Sequence, residues 1–84
     1  MNNESRMRLG KMIKEARITK GWSQLELGKM LGYRYGNFVG SLENGKAEIP
    51  YEKIPALSEL LDLNPRELLK DVMSIRHPEV VQYL

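Results

Sequence analysis

Apolar residues recur along this 84-residue chain at spacings of three and four, and glycine, proline and polar clusters interrupt them at regular intervals. Leu9, Met12, Ile13 and Ala16 share one face of a helix predicted from about Ser5 to Thr19, closed by Lys20-Gly21. Ser23 is a natural cap for a second helix, because its hydroxyl accepts from a backbone N–H two or three residues on. Leu27, Met30 and Leu31 then fall on that helix's inner face, and Gly32 ends it with a positive φ. After a tight turn, a third helix is predicted from about Gly36 to Glu43. Val39 and Leu42 lie on its buried side, Asn37, Gly40, Ser41 and Asn44 face outward, and Asn44-Gly45 stops it.

The second half continues the helical pattern. A fourth helix is expected from near Pro50 to near Asp62, burying Ile54, Leu57, Leu60 and Leu61, with Pro55 in its second turn bending or tightening the start. Asn64-Pro65-Arg66-Glu67 is a helix opening: Asn64 caps, Pro65 fits the first helical position, and Glu67 can bond back to the cap residue's N–H. This fifth helix should reach about Ile75. His77-Pro78 breaks it, since the residue before a proline avoids the α region, and Glu79 to Leu84 leave room for one short terminal turn. The expected fold is therefore all-α, compact, with five helices and room for a sixth. Residues 1–76 would form one domain and residues 77–84 a tail with a short helix contributing to dimerisation.

The stretch from Trp22 to Lys46, WSQLELGKMLGYRYGNFVGSLENGK, has the layout of a helix-turn-helix. It resembles the Cro and repressor-type (XRE-like) helix-turn-helix proteins of phages and bacteria. The matching residues are Leu9, Ile13, Ala16 and Arg17, then Gly21, Ser23, Gln24, Leu27, Leu31, Gly32, Val39, Leu42, Glu43, Asn44 and Gly45, and Ile49-Pro50 beyond. The resemblance covers roughly residues 7 to 70. It implies a repressor-like DNA-binding domain whose second and third helices form the motif. It also implies that Arg17 pairs with Glu43 inside the domain, that Gln24 meets the DNA backbone, and that Asn44 and Lys46 touch the sugar-phosphate strand. Two features depart from the family pattern. The turn between Gly32 and Val39 is one residue longer than usual, and Gly36 and Gly40 stand where many members carry reading side chains. Base reading should then fall on fewer groups, or the backbone should approach the DNA closely.

Charge fits this reading through its distribution. The net charge of +2 says little alone, but residues 1–48 hold nine Lys/Arg against five Asp/Glu, while residues 49–84 hold four against six. The basic half contains the motif. With no cysteine there is neither a disulfide framework nor a thiolate zinc site, which suits a reducing cytoplasm. No apolar run approaches the ~18–20 residues of a membrane span, and the polar start does not read as a signal peptide. His77 has no second ligand at metal spacing, and no nucleophile–base pair or phosphate loop is present, so neither metal, cofactor nor catalysis is expected.

The candidate DNA-facing set is Ser23, Gln24, Arg34, Tyr35, Asn37, Phe38, Ser41, Asn44 and Lys46. Ser23 and Gln24 open the second helix, whose first N–H groups would face a phosphate. Asn37 and Ser41 are four apart and so share a face; Asn can bond adenine N6 and N7 together, whereas Ser specifies less. Arg34 could take guanine O6 and N7 or hold a phosphate, and Tyr35 could meet a phosphate or a thymine methyl. Phe38 either stands beside them or covers the core, with core-edge packing favoured. Trp22 is expected to be core rather than a stacking platform. Tyr51, Val80, Val81, Tyr83 and Leu84 form an apolar set that either packs on its own domain or joins Leu69, Val72, Met73 and Ile75 in a two-fold interface. The function expected is a dimeric, sequence-specific DNA-binding regulator, a repressor, on a two-fold symmetric operator in the cytoplasm. The alternative is a protein-binding adaptor, such as the antitoxin of a toxin–antitoxin pair or a regulatory docking module.

Overall fold

The computed structural model describes residues 2–84; Met1, the first residue of the expected 1–76 domain, lies outside them. The described chain is all-helical: α1 (Asn2–Thr19), α2 (Gln24–Met30), α3 (Asn37–Glu43), a 3₁₀ turn (Tyr51–Lys53), α4 (Ile54–Leu61), α5 (Pro65–Arg76) and the short α6 (Pro78–Val81). Each stop is set locally. Gly21, Gly32 and Gly45 take positive φ of 79°, 93° and 73° and turn the chain out of α1, α2 and α3.

The starts also follow the sequence. Ser23 Oγ accepts from Glu26 N at 3.0 Å while Ser23 N donates to Glu26 Oε1 at 2.7 Å, a complete capping box. Asn64 Oδ1 accepts from Glu67 N at 3.0 Å, with Pro65 at the first helical position. Around Pro50 the outcome differs from a single bent helix: the 3₁₀ turn comes first, and Pro55 sits in the first turn of α4, where its missing N–H costs nothing. Helix α1 begins three residues earlier than expected, at Asn2.

Ile13, Leu27, Leu31, Val39, Leu42, Ile49, Ile54, Leu57, Leu61, Leu68 and Val72 form one buried core, with Leu9, Met12, Ala16, Trp22 and Leu60 packed half-buried against it. Three expectations need correction. Met30 is exposed, at the edge of an inner stripe of α2 that passes through Leu27 and Leu31. Val72 and Ile75 belong to this domain's own core, since α5 packs against α1 and α4, which leaves only Leu69 exposed and Met73 half-buried on α5. Leu60 is only half-buried. No described helix is long and apolar enough to cross a membrane.

Candidate functional site

Helix α3 is held from two sides. From α1, Arg17 Nε and Nη2 donate to Glu43 Oε2 at 2.7 Å and Oε1 at 3.0 Å, while Arg17 Nη1 donates to the Trp22 carbonyl at 2.8 Å. Both partners are buried, and the paired geometry satisfies the guanidinium fork. The hydrogen bond to Glu43 holds the Arg17 pKa above its ordinary value, outweighing the opposite push from burial. From α2, Gln24 Nε2 donates to Glu43 Oε1 at 3.0 Å. One carboxylate at the end of α3 therefore ties together all three helices.

Glycines set how closely these helices approach. A Cβ on Gly10 would collide with the backbone carbonyl of Leu42 and stand 2.6 Å from that of Glu43, so α1 crosses the end of α3 in backbone contact. On the other side, a Cβ on Gly28 would meet the Tyr35 oxygen at 2.8 Å and one on Gly36 the Leu25 nitrogen at 2.9 Å. Gly40 faces the Gln24 side chain, 3.4 Å from where its Cβ would be. Gly36 and Gly40 thus turn toward α2. They are not gaps in an outward face: their Cα hydrogens stand where α2 packs closest.

The nine residues singled out from sequence fall into two groups. Arg34, Tyr35, Asn37, Asn44 and Lys46 are exposed, at the start, along the outer side and past the end of α3, and their side chains bond to no described residue. Of the others, Ser23, Gln24 and Phe38 have side-chain partners, and Ser41 is half-buried. Ser23 is in the capping box and Gln24 bonds Glu43, although each keeps one hydrogen free to donate outward. Ser41 is half-buried, and its carbonyl accepts from Lys46 N at 2.8 Å, fixing the exit of α3. Phe38 is half-buried and stacks on Tyr33 at 4.4 Å between ring centroids, the core-edge alternative. Partial burial, and then Glu52, push the Tyr33 phenol pKa up. Trp22 is half-buried at the core edge as expected.

Sequence reasoning does not single out Arg8, Lys11 and Lys14. They line a shallow groove of about 660 Å³ on the outer side of α1 that reaches Asn44 at the end of α3. Their three-residue spacing was the available signal, but only the Gly10 crossing brings that side of α1 beside α3. Among the described residues no cluster of His, Cys, Asp or Glu could hold a metal ion.

The helix-turn-helix domain family matches residues 10–73, from the α1–α3 crossing into α5. The chain belongs to this family. Neither the curated proteins nor the solved structures give a match. In this helix-turn-helix domain the family match includes α2, the turn that follows it and α3 whole, together with the Arg17–Glu43 pair that joins α1 to α3.

Proposed function

We propose that this helix-turn-helix domain is a sequence-specific DNA-binding regulator of the Cro and repressor type, acting as a homodimer on a two-fold symmetric operator in the cytoplasm. The observation that carries the reading is the contrast across α3. Its inner side is locked by Val39, Leu42 and Glu43, and its outer side and flanks present Arg34, Asn37, Asn44 and Lys46 with polar groups uncommitted. Such a face suits a duplex groove lined by base edges and phosphates. An adaptor's docking face would be more apolar, so the protein-binding alternative has less support.

The roles follow from chemistry. Asn37 reads an adenine edge, with Ser41 beside it, and Phe38 braces the start of the helix. Asn44 and Lys46 hold the strand at one end, Arg34 and Tyr35 approach at the other, and Ser23 and Gln24 donate their remaining hydrogens to a phosphate. Selection of bound duplexes from a random pool tests the reading, followed by affinity against salt. A two-fold site should emerge, and Lys46→Ala should make the log–log salt slope shallower by about one per half-site. Recovery of random sequence, with weak binding throughout, would sink the proposal.

A further inference from the structure

The α2–α3 turn is pinned more firmly than a connecting segment requires. Tyr33 N donates to the Gly28 carbonyl at 2.9 Å, and its ring stacks on Phe38 at 4.4 Å. Lys53 Nζ lies 5.1 Å from the centroid of the same ring and donates to the Leu31 carbonyl at 2.7 Å, tying the turn to the 3₁₀ segment. Beyond Arg34, the Tyr35 carbonyl and Gly36 pack directly on the backbone of α2, where Gly28 and Gly36 leave no room for a Cβ. Between these two anchorages only the side chains of Arg34 and Tyr35 project, Tyr35 at 62% exposure, and neither bonds to a described residue.

Because loops are ordinarily the mobile part of a fold, a turn fixed on both sides of one free arginine lowers the ordering cost of using that arginine. A phosphate is held as well by a mobile side chain, whereas a bidentate pair with a base edge has a stricter geometry and gains more from a held backbone. The nearby Gly36 and Gly40 carry no side chain for base reading and face α2. We infer that the pinned turn is a specificity element in its own right, with the Arg34 guanidinium donating to O6 and N7 of a guanine in the major groove beyond the bases that α3 reads. The inference rests on the DNA-binding reading above.

Duplex selection with the full chain tests it, comparing the parent with Arg34→Ala, Arg34→Lys, Asn37→Ala and Gly28→Ala. The parent should enrich a G·C pair distinct from the position that Asn37→Ala flattens. Arg34→Ala should lose about ten- to a hundred-fold preference at that pair alone. Arg34→Lys, which keeps the charge, should restore general affinity without restoring the preference. Gly28→Ala should blur the same pair by driving a methyl into the Tyr35 carbonyl. Should that variant not fold, Lys53→Ala, which unpins Tyr33 without adding an atom, should blur it instead. If Arg34→Ala weakens every sequence equally, or leaves the enriched site unchanged, the inference is overturned while DNA reading by α3 stands. A parent that enriches no sequence overturns both.

Discussion

At the scale of single residues, Arg17, Glu43 and Ser58 are buried polar side chains with opposite consequences for the fold. Arg17 and Glu43 make a paired contact, and removing one partner would strand the other charge at a cost of about 3–5 kcal/mol. Arg17→Ala should therefore lower the thermal midpoint by more than about 10 °C for a domain of this size. If it melts like the parent yet fails to bind a duplex, Arg17 is a contact residue and not a strut. Ser58 in α4 is the opposite case. It is buried, and its hydroxyl has no hydrogen-bond partner among the described residues. A buried hydroxyl without a partner keeps its desolvation penalty and returns nothing for it. Ser58→Ala should then raise the midpoint by a few degrees, and a lower midpoint in a melting experiment would mean that the hydroxyl is satisfied in solution.

At the scale of helices, what was legible in the sequence is what is decided within one turn of chain. The Ser23 cap, the positive φ of Gly32 and Gly45, and the Asn64-Pro65 opening each depend on residues no more than four apart, and each forms. Exposure of Asn37 and Asn44 followed from the same periodicity, whereas Ser41, placed outward by it, is half-buried. Directions set by helix crossings were not legible. Periodicity places Gly40 outward, but the angle of α2 puts Gln24 against it, and nothing local marks Gly10 as the crossing point with α3. These two glycines should respond oppositely to the same substitution. Gly10→Ala forces a methyl into backbone atoms and should destabilise by about 1–3 kcal/mol, more than the ~1 kcal/mol that alanine's helix propensity returns. Gly40→Ala meets only the end of a flexible glutamine, so propensity should win and chemical denaturation should find the variant as stable as the parent or more so. Destabilisation of both to the same degree would mean that the α2–α3 and α1–α3 contacts are equally rigid.

At the scale of the whole molecule, the proposed operator binding turns on a second copy. One α3 spans only a few base pairs, and specific regulators usually reach ~10⁻⁸–10⁻¹¹ M, which a second reading helix about 34–36 Å away on the same face of the duplex would supply. The surface proposed for pairing is narrower than apolar spacing alone suggested, because Val72 and Ile75 are consumed by the core. What remains exposed is Leu69 and Tyr51, with Val80, Tyr83 and Leu84 of the tail, where α6 folds back along α5 and Leu84 reaches the groove between α4 and α5. Residues of this size left in water side by side are more costly than scattered ones, and pairing would cover them. Truncation after Arg76 removes Val80, Tyr83 and Leu84 while leaving every core residue in place, so the shortened chain should keep its helical signal. It should also sediment as a monomer at concentrations where the full chain pairs, and bind the selected operator at least tenfold more weakly. A truncated chain that sediments and binds as the parent does would move the pairing surface off the tail, leaving Leu69 and Tyr51 as the next positions to replace by charged residues.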